Sequence, residues 1–85
     1  MKEFKYTITD QAGIHARPAG LLVKQTQPYA SEVTIVKGDK KGNAKSMLSV
    51  MGLGAKHGEE LTIQAEGPDE DVVITELEDF FKNNL

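Results

Sequence analysis

The chain has 85 residues, no cysteine and a formal net charge of −3. That length supports a single domain over residues 1–85 with a modest core, because a chain this short buries only roughly 60–65% of the surface its unfolded form exposes. Without cysteine there are no disulfides or thiolate sites, which fits a reducing, cytoplasmic setting. An acidic balance with no basic stripe excludes general nucleic-acid binding, which rests on neutralising phosphates with Lys and Arg.

The opening residues, Met1-Lys2-Glu3-Phe4-Lys5, contain no apolar signal-peptide core, and no apolar run approaches the roughly 20 residues that span a bilayer. Phe4, Tyr6 and Ile8 then alternate with Lys5, Thr7 and Thr9, the period of a half-buried strand. Asp10-Gln11-Ala12-Gly13 reads as a loop. It leads into Gly13-Ile14-His15-Ala16-Arg17-Pro18-Ala19-Gly20, the stretch richest in chemistry.

Proline is favoured in a first helical turn, where its missing N–H would have no partner. Pro18 therefore predicts a helix start at or just after His15, with the N–H groups of Ala16 and Arg17 as unpaired donors. Such donors, together with the positive end of the helix dipole, form an anion site. Arg17 adds a permanent cation whose planar fork suits phosphate. The same dipole disfavours imidazolium, and neutral imidazole is a nucleophile that forms covalent intermediates. His15 thus has two readings on chemistry alone, a phosphoryl-accepting nucleophile or a helix cap beside a solvated arginine.

Apolar or small residues recur at Ala19, Leu22, Val23 and Thr26, one face of a helix that Pro28 ends near Gln27. Leu21 and Lys24 lie off that face. Ser31 to Val36 alternates again, with Val33 and Ile35 inward. Lys37-Gly38-Asp39-Lys40 is a turn in which glycine supplies the positive φ, and a short strand follows over Lys40–Ala44. The glycines and the Lys45-Ser46 pair miss the spacing of a phosphate-binding P-loop.

Ser46 caps a short predicted helix, Met47 to Gly52. Met47, Leu48, Val50, Met51 and Leu53 are too many apolar residues for one buried face of so short an element, so some are exposed. His57 falls in a polar loop. Two histidines without cysteine give no metal-ligand spacing. Leu61, Ile63 and Ala65 mark a fourth strand. Gly67-Pro68-Asp69-Glu70-Asp71 opens a last helix whose acidic first turn complements its dipole and whose buried stripe is Val73, Leu77, Phe80 and Phe81. Glu76, Glu78 and Asp79 read as a solvated face. The order β-α-β-β-α-β-α predicts an α+β fold with helices on one face of the sheet.

Two segments carry a family resemblance that covers essentially the whole chain. Gly13-Ile14-His15-Ala16-Arg17-Pro18-Ala19 resembles the active-site motif of the HPr family, the histidine-containing phosphocarriers of the bacterial phosphoenolpyruvate:sugar phosphotransferase system. Lys45-Ser46-Met47-Leu48-Ser49-Val50-Met51-Gly52-Leu53-Gly54 resembles its regulatory-serine helix, at the matching separation. The resemblance implies an open-faced β-sandwich, a four-stranded antiparallel sheet with three helices on one face. It implies a cytoplasmic, monomeric carrier without cofactor or metal that does not insert into membranes. His15 would take a phosphoryl group on Nδ1 from enzyme I and pass it to enzyme IIA, with Ala16 and Arg17 receiving the phosphate oxygens and Arg17 assisting transfer.

The resemblance also implies phosphorylation of Ser46 by an HPr kinase/phosphorylase, contact with a catabolite-control transcription regulator, and partner docking through Leu21, Lys24, Met47, Leu48 and Met51. Gly20, Gln27, Pro28 and Ser49 depart from the usual family pattern and bear on partner choice rather than on His15 or Arg17. The alternative reading is a regulatory interaction module that acts through Ser46 phosphorylation and docking to a transcription regulator; the presence of His15 argues against that being its only role. A small RNA-binding domain would need exposed strand aromatics and basic charge, which the chain lacks.

Overall fold

Period-two alternation in three segments, with a short further strand after the second, requires a sheet with one covered face, and three amphipathic segments supply the cover. A computed structural model describes all residues, 1–85, as β1 (Lys2–Thr7), α1 (Ala16–Thr26), β2 (Glu32–Lys37), β3 (Lys40–Asn43), α2 (Met47–Gly52), β4 (Glu60–Glu66) and α3 (Glu70–Asn84). The strands form one antiparallel sheet in the order β1-β4-β2-β3. Val33, Ile35, Leu61, Ile63 and Ala65 are buried beneath the helices. The alternate residues Lys5, Thr34, Asn43, Thr62 and Gln64 make the other face polar and open. This is the α+β open-faced sandwich expected from the sequence. No helix is long and apolar enough to cross a membrane.

Each helix buries the stripe its period predicts. In α3, Val73, Leu77 and Phe81 are fully buried and Phe80 nearly so. The Phe81 ring meets Phe4 and Tyr6 edge-on at centroid distances of 5.8 and 5.6 Å, tying α3 to the edge strand β1. Helix α1 buries Pro18, Ala19, Leu22 and Thr26, whereas Val23 is only half-buried. Its C-terminus is tied to the approach to α2. The buried Thr26 hydroxyl donates to the Ala44 carbonyl at 2.9 Å, and the Gln27 side-chain amide donates to the Lys45 carbonyl at 2.8 Å. Lys45 Nζ in turn donates to the Tyr29 carbonyl at 2.5 Å.

The structure differs from the sequence expectation elsewhere too, and β3 ends at Asn43 rather than Ala44. Strand β1 ends at Thr7: the Ile8 N–H still donates in register to the Glu59 carbonyl, but the Ile8 carbonyl accepts the Gly58 N–H and the Thr9 N–H turns to Leu85. Glu76 is not merely solvated, since it accepts a 2.6 Å hydrogen bond from the Tyr29 hydroxyl across to α3. Burial and the neighbouring Glu76 push the Tyr29 phenol up to about 12. The β2–β3 turn has Gly38 at φ 59° and no positive φ at Asp39, the pattern of a two-residue type II′ hairpin.

Asp69 does not cap α3 with its side chain. Its carboxylate instead accepts the Ser31 hydroxyl, and the N–H groups of Ala30 and Ser31 at 2.9 Å each. These donors hold the Asp69 carboxyl below its ordinary value of 3.8, the Ser31 hydroxyl first. Backbone N–H donors likewise lower Glu59 and Glu70. A depressed native value contributes stability above the unfolded value, and this is lost as pH falls through the native one. Stability should therefore decline from about pH 5 downwards. In urea titrations Asp69→Asn should be less stable than the wild type at pH 7, with the difference shrinking below about pH 4.

Candidate functional site

The site is built by the loop between β1 and α1. Gly13 has φ +67°, and a Cβ on it would stand 2.4 Å from the Ala55 carbonyl oxygen. Only glycine allows this close approach, which lets the Ile14 N–H donate to that same oxygen at 3.0 Å. Ile14 is buried, so the loop is pinned and the next residue emerges at the surface.

His15 occupies the N-cap of α1, with extended backbone at φ −104° and ψ −176° and no capping bond from its side chain. Its carbonyl accepts the first helical bond, from Ala19 at 3.0 Å. The N–H groups of Ala16 and Arg17 donate to no protein acceptor, and Pro18 has no N–H to offer. Two donors thus point out of the helix start with no internal partner. The His15 side chain is 44% exposed. The Arg17 side chain is exposed and makes no ion pair or hydrogen bond within the chain.

His15, Arg17, Pro18 and Leu21 line a depression of about 220 Å³ with Asp10, Asn83 and Asn84. Three of these residues were missed by sequence reasoning. Asp10 carries a local signal, since its carboxylate accepts the Ala12 N–H at 2.8 Å in the turn that Asp-x-Ala-Gly predicts. Asn83 and Asn84 carry none, because they arrive from the far end of the chain. Asp10 Oδ1 lies 3.9 Å from His15 Nε2, so a carboxylate stands beside the ring.

Of the other residues singled out in the sequence, Leu21 lines both this depression and a neighbouring groove, and Lys24, Ser46, Met47, Leu48 and Met51 lie outside the depression. Ser46 caps α2, its hydroxyl oxygen accepting the Ser49 N–H at 3.3 Å. Leu48 is 88% exposed, and Met47 and Met51 are about two-fifths exposed. Val50 and Leu53 are buried, so the apolar excess of α2 divides as its length requires. Helices α1 and α2 pack against each other. Leu21 and Lys24 line a groove with Gln25, Pro28, Phe80 and Asn84 beside the His15 depression. His57 is exposed, and no group of three or more His, Asp or Glu side chains is placed to hold a metal ion.

A surface histidine at a helix N-terminus, flanked by two unpaired amides and a free guanidinium, is an arrangement whose chemistry suits an oxyanion such as phosphate. The fold and sequence place the chain among small α+β phosphocarriers. Residues 2–83 match the family model described as the PTS HPr component phosphorylation site. Over 74 residues the chain is 46% identical to the phosphocarrier protein HPr of Mycoplasma capricolum, covering 87% of this chain and 83% of that protein. It superposes on the histidine-containing phosphocarrier protein of a mycoplasma with TM-score 0.93 and 40% identity, covering 96% and 93% of the two chains. It is also similar to Crh, the Bacillus subtilis catabolite repression HPr, with TM-score 0.70 and 32% identity over 99% and 100%. The chain belongs to the HPr family, the phosphocarriers of the phosphotransferase system.

Proposed function

We propose that His15 accepts a phosphoryl group from phosphorylated enzyme I, which draws it from phosphoenolpyruvate, and that the group passes on to enzyme IIA components of sugar transport. The observation that carries this reading is the half-exposed His15 ring at the start of α1, beside the unpaired amides of Ala16 and Arg17. A ring nitrogen attacks phosphorus. The equatorial oxygens then meet the two N–H donors and the Arg17 guanidinium, where the helix dipole favours negative charge. The intermediate is a covalent phosphohistidine that waits for an acceptor, so the chain carries the group and turns over no substrate of its own.

Ser46 favours a second role alongside the first. Its hydroxyl sits at the N-terminus of α2 next to exposed Met47 and Leu48. A phosphate there is compatible with the helix start and would place negative charge beside apolar surface. The likeness to Crh supports regulation through an HPr kinase/phosphorylase and a catabolite-control transcription regulator. Leu21, Lys24, Met47, Leu48 and Met51 supply the docking contacts.

One experiment tests both roles by intact mass. Incubation with phosphoenolpyruvate and enzyme I should add one acid-labile phosphoryl group to the wild type and none to His15→Ala. Incubation with ATP and the kinase should add one acid-stable group, absent from Ser46→Ala. No transfer from enzyme I to the folded wild type would overturn the carrier reading and leave the regulatory one.

A further inference from the structure

The Asp10 carboxylate is fixed beside the His15 ring. Its Oδ1 lies 3.9 Å from His15 Nε2 and accepts the Ala12 N–H at 2.8 Å. The Asp10 N–H donates to the Leu85 main-chain oxygen at 2.8 Å, and the Asp10 carbonyl accepts the Gly13 N–H at 3.0 Å. The Thr9 N–H and hydroxyl bind the same Leu85 oxygen at 2.7 and 3.0 Å. The residue is therefore held on both sides by the end of α3 and by its own turn. At 3.9 Å the contact is too long for a hydrogen bond but within reach of an ion pair once the ring is protonated.

We infer that Asp10 is a positioning residue that provides the counter-charge for phosphorylated His15, keeping the proton on Nε2 while Nδ1 carries the phosphoryl group. The inference rests on the reading of His15 as phosphoryl acceptor. In the first step the Nδ1 lone pair forms the N–P bond. The donor's bond to phosphorus breaks, and its electron pair stays with the donor. Nε2 keeps its proton, so the ring becomes a phosphoimidazolium whose charge faces Asp10. In the onward step the N–P bond breaks and its electron pair returns to Nδ1, leaving neutral imidazole. A protonated ring is the better leaving group because it departs neutral. By holding that proton to higher pH, Asp10 widens the range over which the group is released readily.

The charged groups on the surrounding elements leave this role to Asp10. On α1, Arg17 is a cation and so cannot supply the counter-charge. From α3 come the neutral amides of Asn83 and Asn84; the Leu85 main-chain oxygen is taken up by the Thr9 N–H and hydroxyl and the Asp10 N–H, and neither Leu85 nor the exposed Lys82 lines the depression. The 55–58 loop behind Gly13 carries exposed Lys56 and His57. Glu59 is engaged by the Lys56 N–H at 2.7 Å and by Lys37 at 3.5 Å.

Asp10→Asn separates charge from turn formation, since asparagine still accepts the Ala12 N–H. The wild type and Asp10→Asn would each be phosphorylated with phosphoramidate, and loss of the phosphoryl group to water followed by phosphorus-31 NMR between about pH 5.5 and 9. Near pH 5.5 the two rates should coincide. At pH 8 the variant should lose its phosphoryl group about three- to tenfold more slowly, the effect of one partly exposed counter-charge. A turn-only role would give the same rate ratio at every pH, and that result overturns the inference while leaving His15 as acceptor. Failure of phosphoramidate to label His15 in the wild type overturns both. Asp10→Ser, a second uncharged turn former, should repeat the slowing should asparagine disturb the loop; wild-type rates in Asp10→Ser also overturn it.

Discussion

Replacing Arg17 with alanine is expected to slow phosphoryl transfer to and from His15 by about 10²–10³-fold, the usual effect of removing one preorganised donor from a developing charge. The fold should not suffer, because Arg17 is exposed and makes no hydrogen bond or ion pair within the chain. A carrier limits how this charge can act. Every 1.4 kcal/mol or so that stabilises the resting phosphohistidine lowers the onward equilibrium about tenfold. Arg17 is therefore expected to act mainly on the transition state, where charge spreads over the oxygens of the transferring group. Rapid-quench measurement of transfer in both directions should show both rates falling together and the equilibrium constant changing far less. Unchanged rates in both directions would refute this role. Lysine at position 17 keeps the charge but loses the planar fork, so it should restore only part of the rate.

Replacing Gly13 with alanine should destabilise the domain by about 2–4 kcal/mol, the sum of a left-handed backbone cost and a forced displacement. At φ +67° the new Cβ would meet the Ala55 oxygen at 2.4 Å and the Lys56 Cα at 2.8 Å, both main-chain atoms with little room to give. The loss is a large share of the stability of a small domain. It also breaks the pin between Ile14 and Ala55 on which His15 stands. Gly20, in the same motif, provides the contrast. A Cβ there meets nothing within 4 Å, so Gly20→Ala should stabilise α1 by about 1 kcal/mol. Urea denaturation of the two variants against the wild type measures both effects. An unshifted midpoint for Gly13→Ala would mean that the loop accommodates a side chain and is not pinned.

The elements were legible because each answers to a local rule. The alternation in β2 and β4, the stripe of α3, the stop at Pro28 and the cap at Ser46 depend on neighbours within a few residues, and all appear where those neighbours place them. The end of β1 was not legible, because Thr9 obeys the period but its N–H is drawn away by Leu85, and the partner strand turns off at Gly58. Tyr29 and Glu76 escaped notice for the same reason. Their bond joins α1's exit to α3, and neither residue has a local signature for it.

The sequence by itself determined the α+β order, the start of α1 at His15, and the presence there of a histidine, an arginine and unpaired amides, because capping and periodicity act over one or two turns. Only the tertiary structure decided what surrounds that histidine. Gly13 takes its conformation from contact with Ala55, and Asp10 is held against the ring by an oxygen of Leu85. Asn83 and Asn84 complete the rim from the last turn of α3. These contacts join residues distant in sequence, and they exist only once α3 packs on β1 through Phe81 and brings the end of the chain to the start of α1.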